Sequence, residues 1–171
     1  MIKPLAWLSF GLALALASGG CGFHPLYGEI GNKPGAQAIF DSIYVDPIPV
    51  ERLGYQLRNN LIQALQGTAK PGAAIYRLKV NTTQGTEGIA VEPDASVTRY
   101  NFNLVARYEL SNIHTGAVLD SGTETTLSEY DVVSSPYSTL VAQQAAQQRA
   151  TEDIANRIRI DLAVFFHNKA R

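Results

Sequence analysis

The longest regular pattern in the chain is an alternation of apolar and polar side chains between Val97 and Leu110. Successive side chains of a β-strand point to opposite faces, so this segment has one apolar and one polar face. The apolar face carries Tyr100, Phe102, Leu104, Ala106, Tyr108 and Leu110, and the polar face carries Arg99, Asn101, Asn103, Arg107 and Glu109. The pattern predicts an antiparallel sheet that is packed on one side and exposed to water on the other.

Neighbouring segments extend this predicted sheet. Ile75–Thr83 alternates in the same way, and Ala117–Leu127 returns as a strand after a turn at Asn112–Gly116. An apolar and β-branched run at Ala38–Val45 predicts an additional first strand. Residues Gln84–Ser96 contain glycines and a proline, and we predict a loop there. The last three predicted strands should therefore form an antiparallel meander that follows the first strand in the chain.

Two segments have helical periodicity. In Val50–Gln66 the side chains of Leu53, Leu57, Leu61, Ile62 and Leu65 form one apolar stripe. A last helix follows Ser134-Ser135-Pro136, with Ser135 or Ser138 as N-cap, and its packing stripe, at Ile154, Ile158, Leu162 and Phe165, lies in its second half. The predicted fold class is α+β: a two-layer sandwich with two helices on one face of a four-stranded, mainly antiparallel sheet, in the order β-α-β-β-β-α.

The start of the chain has the features of an export signal. Lys3 precedes an uncharged apolar run at Leu5–Ala17, and Ser18-Gly19-Gly20 comes directly before the only cysteine, Cys21. A cysteine in this position can carry a diacylglycerol, and two or three acyl chains hold a protein durably at a membrane. The alternative is a secreted protein with a free thiol. We predict a cleaved signal peptide at 1–20, a lipidated N-terminus and tether at 21–36, and a single α/β domain at 37–171.

Signals of enzymatic chemistry are weak in this sequence. It has no nucleophile elbow, phosphate-binding loop or His-Glu-x-x-His motif, and no cluster with metal-ligand spacing. Glu129 and Asp131 can form a carboxylate pair, but a solvated loop is the better interpretation, and the three histidines have no evident partners. We therefore expect no catalysis, no metal and no cofactor other than a covalent lipid on Cys21. The formal net charge of −1 argues against nucleic acid as a partner.

Cationic side chains recur on the polar face of the predicted sheet, at Arg77, Lys79, Arg99 and Arg107. Guanidinium groups bind phosphate and carboxylate groups through paired hydrogen bonds. One hypothesis is that these four side chains converge on an anion site. The alternative is that they are ordinary solvated strand residues paired with Glu109 or Glu124.

The opening motif Cys21-Gly22-Phe23-His24-Pro25-Leu26-Tyr27-Gly28 resembles the start of the LptE family of LPS-assembly lipoproteins in its alphaproteobacterial form. Ala95–Tyr100 and Ala155–Ile158 resemble later segments of that family, in the same order. The resemblance implies a non-enzymatic lipoprotein, anchored on the periplasmic side of the outer membrane. Such a protein plugs the LptD β-barrel, helps it assemble, and binds lipopolysaccharide on its way to the cell surface. A polar outer surface would suit a polar barrel lumen.

The resemblance also implies sites. Lipopolysaccharide would meet basic residues near the long hairpin and near the start of the last helix. Arg99 lies in the first region, with Arg77, Lys79 and Arg107 as further candidates, whereas Ser134–Gln148 has no basic residue. Ile89 and Val91 are expected to touch the barrel wall. Rival interpretations are an auxiliary lipoprotein of another envelope lipid transporter, a periplasmic enzyme, and a carrier of a small apolar ligand.

Overall fold

Four strands and three helices form two layers in the computed structural model, which describes residues 36–66, 73–91 and 97–169. The strands are β1 (Ile43–Val45), β2 (Tyr76–Val91), β3 (Val97–Asn112) and β4 (Val118–Asp131). The helices are α1 (Ala36–Phe40), α2 (Glu51–Gln66) and α3 (Pro136–Lys169). The predicted α+β class and element order are confirmed, and the short helix α1 is an addition to them.

The strands follow one another across the sheet in chain order. β1 runs parallel to β2 and pairs with it at only three positions, Ile43–Val45 against Tyr76–Leu78. The β2–β3 and β3–β4 pairs are antiparallel and continue over almost the full length of each strand. The β2–β3 hairpin therefore extends far beyond the end of β1.

One face of the sheet packs against the helices and forms the core. Its strand residues come from alternate positions, as expected for a period of two, and its helix residues come from one stripe of each helix. The largest fully buried side chains are Phe40, Ile43, Leu57, Leu61, Leu65, Leu78, Phe102, Leu104, Leu110, Ile154, Ile158 and Leu162. The four leucines of the predicted stripe in α2 are buried, and its fifth member, Ile62, is partly buried against the core.

Helix α3 begins where the sequence predicts. Pro136 is its first residue, and the backbone N–H of Ser138 donates to Ser135 Oγ at 3.4 Å, so Ser135 is the N-cap. Further along, Asn60 Nδ2 of α2 donates to Thr151 Oγ1 of α3 at 3.0 Å, and Thr151 Oγ1 donates to the carbonyl of Gln148 at 2.8 Å. This chain of bonds satisfies a buried hydroxyl group between the two helices.

The sheet has two halves that differ in their cover. Helix α2 lies along β1, because Gln66 Nε2 and Arg58 Nε donate to the carbonyls of Ile43 and Val45. We call the part of the sheet near β1 the covered half: residues 76–82, 106–112 and 118–124. The distal half comprises residues 83–91, 97–105 and 125–131. In the distal half, Thr83–Ile89 of β2 is exposed on both faces.

Two predicted elements are wrong. Instead of a strand over Ala38–Val45, α1 ends at Phe40 and the strand is limited to Ile43–Val45. The predicted loop Gln84–Ser96 is mostly strand, because β2 continues to Val91 and pairs with β3 throughout. Residues 92–96 lie outside the described part.

The turn between β3 and β4 is confirmed. Asn112 Oδ1 accepts hydrogen bonds from the backbone N–H groups of His114 and Thr115, and Gly116 has a φ of 69°. A side-chain oxygen of this kind stabilises a turn, and glycine adopts a positive φ without a steric penalty. The signal peptide, Cys21, His24 and the tether lie outside the described residues, so these predictions stay predictions.

Candidate binding surface

The face of the sheet that points away from the helices is the candidate binding surface, and we call it the open face. It is lined by Arg77, Lys79, Asn81, Thr83 and Glu87 of β2, Arg99, Asn101, Asn103, Val105, Arg107 and Glu109 of β3, and Thr123, Thr125, Leu127, Glu129 and Asp131 of β4. None of these side chains is fully buried. Val105 and Leu127 are its apolar members in the middle, and the register adds the exposed side chains of Tyr44 and Val118 at the β1 end, so the open face is mainly polar.

Three of the four predicted cations gather in the covered half. Lys79 lies directly opposite Glu109, and Arg107 lies opposite Asn81, one row further along. Arg77 lies in the row before Lys79, where its Nε is 3.6 Å from Asp46 Oδ1. Arg77 and Lys79 therefore have carboxylates close by, whereas the direct cross-strand neighbours of Arg107, Asn81 and Thr123, are uncharged.

Arg99 lies apart from the other three cations. It is eight positions from Arg107 along β3, which corresponds to about 26 Å at the usual rise of a strand. It pairs with Ala90 where the register of β2 and β3 shifts twice, at a β-bulge or irregularity. Bulges of this kind re-aim side chains. The hypothesis that all four cations converge is therefore wrong: they share a face but occupy its two ends.

Two carboxylates hold the Arg99 guanidinium. Arg99 Nε donates to Asp131 Oδ1 at 2.7 Å, and Nη1 lies 4.0 Å from Glu129 Oε2. The hydrogen bond and charge of Asp131, with a smaller contribution from Glu129, raise the pKa of Arg99 above its ordinary value. Glu129 and Asp131 are strand residues, so the solvated-loop interpretation is wrong for them, and they meet around an arginine.

The two residues predicted to touch a barrel lie near the end of the hairpin. Ile89 is 44% exposed, which is high for a large apolar side chain, and the backbone of Val91 pairs with Val97. Four more apolar side chains are exposed at the start of α3 or just before it: Val133, Tyr137, Leu140 and Val141. The end of the molecule farthest from β1 is therefore richer in exposed apolar groups than the open face.

A polar seam between β4 and α3 was not predicted from the sequence. Thr126 Oγ1 donates to Asp153 Oδ2 at 2.6 Å, Arg157 Nε donates to the same oxygen at 2.9 Å, and Tyr108 Oη donates to Asp161 Oδ2 at 3.3 Å. The spacing of Asp153, Arg157 and Asp161, four residues apart on one helix face, is the signal that could have revealed it. Glu124 of β4 completes the seam.

The environment of the seam raises the pKa of some of its side chains and lowers that of another. Burial, followed by a hydrogen bond and charge interaction with Asp161, raises the pKa of Glu124. The hydrogen bond from Thr126, together with Arg157, lowers the pKa of Asp153. Burial is also the main cause that raises the pKa of Tyr108, with Asp161 second. A lowered pKa at Asp153 stabilises the charged carboxylate in the folded state, whereas the raised pKa of Glu124 means that its charged form is unfavourable there, so the stability of the fold depends on pH in both directions.

Among the described residues, no group of three or more His, Cys, Asp or Glu side chains is arranged to hold a metal ion. His114 is exposed in the β3–β4 turn, and His167 lies in the last turn of α3. In the same part of the chain, no helix combines the length and the apolar character needed to cross a bilayer.

Comparison with known proteins decides the family. The model of the lipopolysaccharide-assembly family LptE matches residues 40–162, which is more than half of the chain. The chain belongs to the LptE family. A proposed lipoprotein from Caulobacter crescentus has 25% identity and a TM-score of 0.65, covering 78% of this chain and 96% of that chain. An uncharacterized protein from Rickettsia prowazekii is 26% identical over 149 residues, 87% of this chain and 90% of its own length.

Rare lipoprotein B from Shewanella oneidensis shares the fold, with a TM-score of 0.57 at 13% identity over 76% of this chain and 98% of that chain. The LptE match begins at the end of α1 and continues through most of α3, so it includes the whole open face. LptE proteins are non-catalytic lipoproteins of lipopolysaccharide assembly. Membership therefore identifies the chain as an LPS-assembly lipoprotein of the cell envelope.

Proposed function

We propose that this chain plugs the lumen of the outer-membrane β-barrel LptD, helps the barrel assemble, and binds lipopolysaccharide during delivery to the cell surface. Family membership supports the general role. The observation that carries the plug function is the open face, because a polar sheet backed by its own helices needs no apolar cover from a partner. The lumen of an outer-membrane barrel is polar, so such a surface can lie against it at little desolvation cost.

The same proposal assigns an anchor and a location. Lipidation at Cys21 would hold the domain on the periplasmic side of the outer membrane and keep its concentration near the barrel high. Hydrogen bonds and packing within the domain supply its fold, and we assign it neither an enzymatic activity nor a cofactor besides this lipid. The remaining alternative is an auxiliary lipoprotein of another envelope lipid transporter, which would require a different integral partner.

Lipopolysaccharide binding is assigned to the cations of the open face. Arg99 is the first candidate, because it lies on the long hairpin, and Arg77, Lys79 and Arg107 form a separate group. The distance of about 26 Å between Arg99 and Arg107 means that the two groups cannot share one phosphate. Replacing Arg99 and Lys79 by Glu should weaken lipopolysaccharide binding while the domain stays folded, since both side chains are exposed.

The partner is tested by purifying the tagged chain from gently solubilised outer membranes of its native host, followed by mass spectrometry. We expect LptD as the main associated protein and an acylated N-terminal peptide at Cys21. Co-purification of an integral protein of another lipid transporter, without LptD, would support the alternative instead.

Photocrosslinking from single positions locates the barrel contact. A photoreactive residue at position 89 should capture LptD, because Ile89 is exposed at the far end of the hairpin. Tyr55 is the matched control position, since it is 67% exposed but lies on α2 in the other layer. Efficient capture from position 55 and none from position 89 would contradict the proposed orientation in the barrel.

A further inference from the structure

The two long edges of the sheet differ in their protection. A free strand edge exposes backbone N–H and C=O groups, and charged side chains or a covering helix keep other chains away from it. The β4 edge has both: it carries four acidic residues, and α3 lies along it, where Arg149 Nη2 donates to the carbonyl of Glu129 at 3.0 Å. The β2 edge beyond β1 has a single charged residue, Glu87, within 80–88. This second edge lacks the usual devices that prevent pairing.

The hydrogen bonds between β1 and β2 show which residues of β2 point to this edge. The N–H of Tyr76 donates to the carbonyl of Ser42 at 3.2 Å, and the carbonyl of Leu78 accepts from the N–H of Asp46 at 3.0 Å. Backbone groups alternate in direction along a strand, so every second residue after Leu78 points the same way. These residues are Val80, Thr82, Gln84, Thr86 and Gly88. No strand of the described structure pairs with them.

This unpaired stretch has definite limits. At one end, β1 and Asp46 occupy the edge of β2 as far as Leu78. At the other end, the register of β2 and β3 shifts between Gly88 and Ala90. The regular free edge therefore extends over residues 80–88, and Gln84 is its midpoint. The same stretch of a second copy, running antiparallel with its own Gln84 opposite this one, covers the whole edge and stops short of β1.

We propose that two copies of this chain associate through this edge, in an antiparallel pair centred on Gln84 that joins their two sheets. Gln84 then faces Gln84 of the second copy, Thr82 faces Thr86, and Val80 faces Gly88, each as a hydrogen-bonded pair. Glycine adds no side chain next to Val80, which is buried. The inference goes beyond the proposed function and does not depend on it, because it concerns copies that are outside a barrel.

The side chains favour this register over its neighbour. On the open face, Glu87 of one copy lies diagonally beside Lys79 of the other, at a distance that long side chains can span. On the opposite face, the cross-strand pairs of Thr82 with Thr86 are of a kind that stabilises sheets. Moving the centre by two residues, to Thr86, would instead bring the two Glu87 carboxylates diagonally beside each other. Charge complementarity therefore selects the pair centred on Gln84.

Disulfide formation tests the register. The full chain is purified from membranes in a nonionic detergent, with cysteine introduced at single positions of the edge. Gln84→Cys should form an intermolecular disulfide under mild oxidation, because the Cα atoms of a hydrogen-bonded antiparallel pair are about 5.5 Å apart, within the range of a disulfide. The native chain, oxidised in parallel, accounts for Cys21.

Two further variants on the same strand are the matched controls for this crosslink. Thr86→Cys alone should form little disulfide, since the two copies of this position lie about 13 Å apart along the paired strands. Mixing Thr82→Cys with Thr86→Cys should restore the disulfide, because these positions face each other in the proposed pair.

Sedimentation equilibrium measures the association itself. An edge pair of this length is a small interface, so we expect a reversible monomer–dimer equilibrium. Gln84→Lys places two like charges opposite each other and should weaken the dimer roughly three- to tenfold. Gln63→Lys, the same substitution at an exposed position of α2, should leave dimerisation unchanged. At protein concentrations where the chain is monomeric, neither substitution should shift the urea midpoint, since both glutamines are exposed.

A chain that stays monomeric at every concentration, or a Thr86→Cys variant that crosslinks as well as Gln84→Cys, would overturn the proposal. Photocrosslinking from position 84 in native membranes identifies what occupies the edge. Capture of a second copy supports the proposal, and capture of a different polypeptide instead overturns it. The proposed function is tested separately: if LptD co-purifies but no dimer forms, the proposed function stands and the assignment of this edge fails.

Discussion

The covered half and the distal half of the sheet bury very different amounts of apolar side chain. Under α2 and α3, the covered half packs leucine, isoleucine and phenylalanine from both layers, including an edge-to-face contact between Phe40 and Phe166. In the distal half, α3 lies along β4, where Arg149 donates to the carbonyl of Glu129 and Thr126 donates to Asp153, and the buried residues in this part of α3 include the small side chains of Ala146 and Ala150. Its second strand, Thr83–Ile89, has no buried residue. Apolar burial is thus concentrated at one end, and the other end leaves more of its surface exposed.

The difference in apolar burial affects how the two halves of the sheet are stabilised. A strand that is exposed on both faces gains little from burial and must be held mainly by its hydrogen bonds to one neighbour. The distal part of β2 is tolerated because it pairs with β3, whose Phe102 and Leu104 are buried in the core. A partner that bound the distal half would therefore meet an ordered hairpin whose fold does not depend on the partner.

The largest expected effect compares one leucine from each region. Leu61 of α2 is fully buried, whereas Leu140 at the start of α3 is 48% exposed. Leu61→Ala should lower the free energy of unfolding by about 2–5 kcal/mol through lost transfer energy and a residual cavity. Leu140→Ala should change it by less than about 0.5 kcal/mol. Urea denaturation measures both, and similar losses would show that the distal half contributes equally to stability.

Alanine substitutions at two glycines, one in α2 and one in the distal half, provide a second comparison with smaller expected effects on stability. A Cβ on Gly54, at the start of α2, would collide with the carbonyl oxygens of Ile48 and Pro49, which are backbone atoms. Gly54→Ala should therefore cost about 1–3 kcal/mol. A Cβ on Gly85, in the distal half, would meet nothing within 4 Å. Gly85→Ala should be neutral or stabilise the chain by up to about 1 kcal/mol, and a loss comparable to that of Gly54→Ala would contradict the open packing described here.

The same contrast explains which parts of the molecule could be predicted from the sequence. Periodicity found β3 and α2, because burial of one face imposes a clear pattern on a sequence. It failed for residues 84–91 of β2, where Gly85, Glu87 and Gly88 have the composition of a loop and only the pairing with β3 makes a strand. It failed again at Ala38–Val45, since a short apolar run does not distinguish a helical turn from a strand.

Prediction of the site had a similar limit. Alternation correctly placed Arg77, Lys79, Arg99 and Arg107 on one face, because face is set by a period of two. The separation of Arg99 and Arg107 follows from their eight positions on one strand, whereas the positions of Arg77 and Lys79 relative to them depend on cross-strand register. The neighbours of Arg99 depend on the same register, so its contacts with Asp131 and Glu129 could not be predicted. The seam of Glu124 and Asp161 escaped prediction because it joins two elements that are far apart in the chain.

The smallest expected effect concerns that seam, which passes under α3 into the distal half. Burial and Asp161 raise the pKa of Glu124 above its ordinary value of 4.5, so the folded state binds this proton more tightly than the unfolded state does. The carboxyl group therefore favours folding below that value, and this contribution is lost as the pH rises through the folded-state pKa. At pH 7 a charged Glu124 lies near Asp161 and Asp153 and is offset only in part by Arg157.

Glu124→Gln should therefore raise the free energy of unfolding at pH 7, by less than about 1 kcal/mol because the site is partly screened by solvent. The gain should disappear near pH 4, where the native carboxyl group is itself protonated. Urea denaturation at both pH values measures this gain. Asp161→Asn is the partner substitution, because Asp161 contributes to the raised pKa of Glu124. In an Asp161→Asn background, Glu124→Gln should therefore raise the free energy of unfolding by less. A loss of stability at pH 7 would mean that the charged Glu124 contributes to the packing of α3 on β4. Because Glu124 lies at the edge of the covered half, such a result would mean that the covered half depends on electrostatics as well as on apolar burial, and the contrast between the two halves would be smaller than described here.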